Sequence, residues 1–153
     1  MRVRMMSIPA AGITALPIAL LVCVGGATPA SADNPICGYY GPDTCAFLAP
    51  WGTTSCQISP GGPGPHIYCQ TLPAVLGQGP PPQSVSMDAD GMLTPCTGVA
   101  CVGNAATGTP TLALGRNLSV GPFTCLSTAT EISCTVASGR GFVVSDTAIT
   151  PVG

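Results

Sequence analysis

Apolar and polar residues alternate in short runs along most of this chain, and glycine or proline cuts each run off. From Asp33 onward no stretch carries apolar residues at i, i+3, i+4 and i+7 without a Gly or Pro breaking it, so the helical period is absent. Runs rich in Val, Thr, Ile and Tyr instead predict strands at Thr54–Ser59, His66–Leu72, Gln83–Met87, Met92–Pro95, Thr111–Leu114, Pro122–Leu126, Ile132–Ala137 and Gly141–Ser145. Many short strands separated by turn residues predict an all-β fold, a small β-meander or sandwich of short hairpins. Asp90-Gly91 lies between two such runs and predicts a tight hairpin, because the pair tolerates the positive φ that such a turn demands. Ser59 to Pro65 (SPGGPGP) cannot continue a ladder and predicts a loop. Gly77 to Pro82 (GQGPPP) predicts an extended linker between two halves of the domain.

The first 32 residues follow another pattern. Arg2 and Arg4 precede an apolar stretch densest from Ile13 to Val24, and Ala30-Ser31-Ala32 forms an A-x-A site just before Asp33. That order of charge, apolar run and small residues has the pattern of a secretory signal peptide, and predicts a helical signal cleaved after Ala32. The run is short for a membrane span and Pro17 interrupts it, which disfavours an uncleaved anchor. Lipidation at Cys23 is the lesser alternative, since Val22 before it is not small. The predicted organisation is a signal peptide (1–32), an N-terminal disulfide-closed segment (33–50) and a single β-rich domain (51–153) containing the linker at 77–82. The mature chain, with no integral membrane span, is expected to be secreted or associated with the cell envelope.

Eight cysteines remain after the signal: Cys37, Cys45, Cys56, Cys69, Cys96, Cys101, Cys125 and Cys134. An even number in an exported chain predicts a disulfide framework. Twelve residues separate Cys56 from Cys69, four separate Cys96 from Cys101, and eight separate Cys125 from Cys134. In a hairpin with an even loop, directly opposed residues are separated by an even number, and opposed cysteines can bridge. The parity therefore predicts sequential pairing, Cys56–Cys69, Cys96–Cys101 and Cys125–Cys134, with Cys37–Cys45 closing what remains. Each bond would staple its own hairpin or turn.

Charge narrows the partners. The expected mature chain holds only Arg116 and Arg140 against Asp33, Asp43, Asp88, Asp90, Glu131 and Asp146, a formal net charge of −4 (two against six). Two arginines cannot make the basic patch that phosphate backbones require, so nucleic acid is not a partner, and anionic lipid is disfavoured for the same reason. Low charge with a respectable apolar content is the reverse of the disordered signature. The apolar residues are mostly small, so the core should be thin, and disulfides are the usual remedy in a small exported domain.

Candidate chemistry is sparse. His66 is the one histidine and could join Ser59 and an Asp in a triad, but no G-x-S-x-G elbow is present and a strand-end histidine explains it. Cys96-x4-Cys101 is looser than zinc spacing and C-x-x-C is missing, so neither a metal, a cofactor nor thiol exchange is expected. Asp88-x-Asp90-Gly91 matches only the start of a calcium loop, since Leu93 and Thr94 stand where further ligands belong. Tyr39, Tyr40, Phe47 and Trp51 cluster in sequence; packing over the Cys37–Cys45 loop is the favoured reading, stacking on sugars or a protein the other. Gly139-Arg140-Gly141 predicts a tight turn or bulge, with an anion at Arg140 as the sharper alternative. Tyr39, Tyr40, Trp51 and Arg140 are thus the candidate contact surface.

The segment Gly121 to Ser145 (GPFTCLSTATEISCTVASGRGFVVS) has the form F-x-C, eight residues, C-T, then G-R-G-F. Upstream, Pro82-Gln83-Ser84-Val85 leads to Asp88-x-Asp-Gly91 and then Cys96-x4-Cys101-x-Gly103-Asn104. From Trp51 to Ile149 the chain resembles a family of small exported, cysteine-rich actinobacterial proteins, mycobacterial in type, that carry a domain of unknown function. The resemblance implies a secreted or envelope location and no particular activity; Cys37–Cys45 lies outside it. The sequence thus predicts a non-enzymatic, monomeric binding or envelope-associated module whose partner is a protein or cell-wall component. The alternative is a secreted inhibitor of a hydrolase presenting the SPGGPGP loop, and an uncharacterised hydrolase ranks last.

Overall fold

The computed structural model describes residues 36–38, 40–41, 43–61, 64–72 and 79–153. The expected signal peptide, Tyr39 and positions 77–78 of the expected linker lie outside the described residues.

Ten strands form two antiparallel five-stranded meanders. The first contains β1 (Cys45–Leu48), β2 (Thr54–Ser59), β3 (His66–Thr71), β4 (Gln83–Asp88) and β5 (Leu93–Thr97), in sequence order. The second contains β6 (Asn117–Val120), β7 (Phe123–Ser127), β8 (Glu131–Thr135), β9 (Gly141–Ser145) and β10 (Ile149–Val152), also in order. The sheets pack face to face through β3 against β9 and β4 against β10. The all-β, disulfide-stapled fold is therefore a sandwich of two meanders. Alternation within strands decides which face is which: the burial of β7 runs buried, exposed, buried, exposed, buried.

The inner faces meet in a core whose largest members are Phe47, Phe123 and Phe142, all fully buried. Burying each such ring stabilises by roughly 1.5–3 kcal/mol. Cross-strand rows organise the first inner face, for example Phe47, Cys56, Cys69 and Val85. The aromatic that the sequence reading assigned to a small N-terminal cluster, Phe47, belongs to this main core.

All four disulfides join the sequence-adjacent pairs. Cys56 faces Cys69 and Cys125 faces Cys134 in the strand registers, while Cys37 bridges antiparallel to Cys45. Cys96–Cys101 instead ties the end of β5 to a short 3-10 turn, Val99–Cys101.

Three features depart from the strand pattern expected above. β1, β6 and β10 are short edge strands with no expected counterpart; ladder hydrogen bonds to a longer neighbour make them strands. Thr111–Leu114 forms only a parallel bridge from Thr111 to Leu48, because the chain turns at once, with Arg116 N–H donating to Ala113 O. And 77–82 joins β3 to β4, neighbours in one sheet; the chain crosses between sheets at 98–116.

Candidate functional site

That crossing builds the site. With apolar positions turned inward, the alternate residues of the first sheet point outward in polar rows: Ser55 and Gln70 in one, Gln57, Tyr68 and Ser86 in the next. Such a face would ordinarily lie in water. Here residues 98–109 run across it as a strap, from β5 at one edge to β1 at the other, and Ala46 and Gln70 beneath are only 4% and 3% exposed.

The strap is fastened along its length. At its root, Cys96–Cys101 fixes it to β5. The Tyr68 hydroxyl lies 2.7 Å from the Cys101 carbonyl and 2.9 Å from Oε1 of Gln70. Gln70 grips Gly103 from both sides: Gly103 N–H donates to Oε1 at 2.8 Å, and Nε2 donates to the Gly103 carbonyl. The carboxamide thus does for Gly103 what a neighbouring strand would do, supplying both a donor and an acceptor. Farther on, Ala106 N–H donates to the Tyr40 hydroxyl at 2.9 Å, and that hydroxyl lies 2.8 Å from Thr109 Oγ1. Leu48 N–H then donates to Pro110 O and Leu112 N–H to Leu48 O, which docks the strap's end on β1.

Strap and sheet do not close completely. A groove of about 310 Å³ remains between them. Its walls are Tyr40 and Tyr68, its floor is Ala46, Ser55 and Gln57, and its roof includes Asn104 and Ala105. Among the described residues no Asp, Glu, His, Lys or Arg lines it. Among the described residues the Ser55 and Asn104 side chains have no hydrogen-bond partner, and Gln57 has only a 3.5 Å contact with Ser59 Oγ. The groove is therefore neutral, walled by two rings with fixed hydroxyls, and carries uncommitted donors and acceptors.

The expected contact surface is dispersed. Tyr40 is at the groove. Trp51 is half-buried against the core with its indole N–H donating to Thr54 Oγ1 at 3.1 Å, so it is a packed residue. Arg140 sits in the β8–β9 turn and approaches the Asp90 carbonyl at 3.4 Å. It also backs Gly91, whose φ is +77° and where a Cβ would come within 2.9 Å of Arg140 Cβ and Val136 Cγ2. Arg140 thus joins the β4–β5 turn to the β8–β9 turn. Asp88 caps its own turn, accepting from Asp90 N–H and Met92 N–H at 3.0 and 2.8 Å, as the hairpin reading requires.

The structure brings the residues weighed as a triad into one row, with Asp88 as the acid. Ser59, His66 and Asp88 oppose one another across β2, β3 and β4. The order is that of a triad, but the bonds are not. His66 Nδ1 lies 3.2 Å from Gly64 O, Asp88 Oδ1 serves the turn, and His66 and Asp88 are exposed. A triad needs linked hydrogen bonds and donors for an oxyanion; this row shares only its sequence of residue types. Tyr68, Gln57 and Gln70 were not singled out by the sequence, and Asn104 appeared there only as the end of the Cys96-x4-Cys101-x-Gly103-Asn104 motif, not as a site residue. Gln70 could have been, as a large polar residue inside an otherwise apolar run.

No protein-family model matches the sequence, and comparisons with curated proteins and with solved structures return no match.

Proposed function

We propose that the chain is an exported binding module of the cell envelope or its surroundings, without catalytic activity, that takes its ligand in the groove beneath the strap. The observation that carries this reading is the fastening of the strap by a disulfide, two tyrosine hydroxyls and the Gln70 carboxamide. Those bonds leave a neutral cleft with uncommitted polar groups, and a wall held rigid before binding spares the ligand the cost of ordering it. The volume sits at the low end of small-ligand clefts, roughly 300–1,000 Å³. Four disulfides fit an oxidising extracellular setting. Among the described residues no helix is long and apolar enough to cross a membrane. The proposal includes cleavage after Ala32, release as a monomer, a cell-wall component or protein as partner, and membership of the actinobacterial family that the Gly121–Ser145 motif resembles.

Retention of the purified, oxidised protein on cell-wall preparations tests the reading. Wild type should be retained, and the double variant Gln57→Ala/Asn104→Ala should be released; equal retention of both overturns it. The non-enzymatic part fails if a hydrolase screen finds an activity that His66→Ala abolishes.

A further inference from the structure

We infer that the ligand of the groove is a neutral saccharide, a mono- or disaccharide unit of a longer glycan or a free sugar; this rests on the reading above. The first constraint is charge. An ionised ligand group would lose water in a cleft that offers no opposite charge, and uncompensated charge burial is strongly unfavourable. The ligand is therefore neutral.

The second constraint is polarity. Gln57, Asn104 and Ser55 bring two carboxamides and a hydroxyl to the groove with their bonding capacity largely unused. A carboxamide presents donor and acceptor side by side, and a hydroxyl serves as either. Adjacent sugar hydroxyls offer the same combination, so each carboxamide can meet a vicinal pair. An apolar ligand would instead strand these groups, a loss each of them would impose on binding.

The third constraint is shape. Tyr40 and Tyr68 wall the groove, and their hydroxyls are committed to the strap. What they offer a ligand is ring, and a sugar pairs an apolar C–H face with a polar rim, as an amphipathic aromatic site requires. A neutral peptide meets the first two constraints but not the third. Peptides held on sheets usually add a strand to a free edge. The outer edge of β1, beside the groove, is already occupied by Cys37 and by 110–112.

The test uses the oxidised exported protein, nitrogen-15 labelled. It is titrated with neutral gluco-, manno-, galacto- and arabino-disaccharides, with a glucuronate-containing disaccharide, and with an uncharged Ser/Gly/Ala hexapeptide. The inference expects at least one neutral disaccharide to shift the side-chain amide signals of Gln57 and Asn104, with affinity falling at least tenfold in Gln57→Ala/Asn104→Ala. Both residues are exposed, so the variants should keep the fold, checked by the unchanged amide spectrum of the core strands. The inference is overturned if the hexapeptide or the glucuronate sugar binds there and the neutral sugars do not, or if none of the probes shifts these signals. If cell-wall retention still depends on Gln57 and Asn104 in that case, the ligand class alone has failed; if retention is independent of them, the groove reading has failed as well.

Discussion

The Gln70 carboxamide holds two hydrogen bonds to Gly103 while itself almost wholly buried, which makes it a main side-chain anchor of the strap. Gln70→Leu would leave the Gly103 N–H and the Tyr68 hydroxyl without that partner. Gly103 is exposed and Tyr68 keeps its bond to the Cys101 carbonyl, so the loss should be that of the bonds themselves, about 1–2 kcal/mol, read as a fall in the urea midpoint of the oxidised protein. Tyr68→Phe removes a hydroxyl but keeps the ring, and should cost about 1 kcal/mol. A Gln70→Leu protein as stable as wild type would show that the strap is held elsewhere. Two glycines contrast usefully. Gly139 has φ +85° with open space around it, so Gly139→Ala should cost only the conformational penalty of about 1–2 kcal/mol. Gly141 is in β9, where a Cβ would collide with the Cys134 carbonyl and the Thr135 backbone. Gly141→Ala must move the β8–β9 pair and should be the more damaging of the two, measured by thermal unfolding.

Among the elements, the staples divide by exposure. Cys56–Cys69 and Cys125–Cys134 lie in the core at 3% exposure or less, whereas Cys96 is exposed at the root of the strap. Thiol–disulfide exchange requires access to sulfur, so a limiting amount of dithiol should open Cys96–Cys101 first. Alkylation and peptide mass mapping would then find label at Cys96 and Cys101 before any core cysteine. Label at Cys56 or Cys134 first would mean that the sandwich opens more easily than the strap. Each staple closes a short loop, of sequence separation 5 to 13. Its stabilisation should therefore lie near the lower part of the usual range, about 2–3 kcal/mol.

At the scale of the molecule, the two sheets are joined by apolar packing, by hydrogen bonds such as Ile149 N–H to Gln83 Oε1 and Thr54 Oγ1 to Ser145 O, and by the chain at 98–116; among the described residues no disulfide crosses between them. The sulfurs nevertheless meet. Sγ of Cys56, Cys69 and Cys134 all lie within 4.8 Å of one another, so one staple of each sheet abuts the other across the core. Cys125→Ser would leave the Cys134 thiol beside the Cys56–Cys69 bond. Its thiolate would displace one of those sulfurs, forming a disulfide from Cys134 to Cys56 or Cys69 and releasing the other as a thiol, with no net oxidation. Non-reducing peptide maps at mildly alkaline pH should find that crossed bond, and a map containing only Cys56–Cys69 would refute it.

The sequence by itself determined the fold class, most of the longer strands, the Asp90-Gly91 hairpin and the disulfide pairs. These rest on period, turn chemistry and, for Cys56–Cys69 and Cys125–Cys134, the parity of a hairpin, which are properties of neighbours in the chain; Cys96–Cys101 pairs as expected but across a 3-10 turn, and Cys37–Cys45 followed as the remainder. Edge strands such as β10, with Pro151 in it, carried no such signal, because a partner's ladder defines them. The groove was illegible for the same reason in stronger form. Tyr40 meets Thr109 across 69 positions and Gln70 meets Gly103 across 33, contacts that exist only once the strap crosses the sheet. Local order is encoded locally, whereas a site assembled from the outward residues of three strands and the loop that covers them was decided by tertiary structure alone.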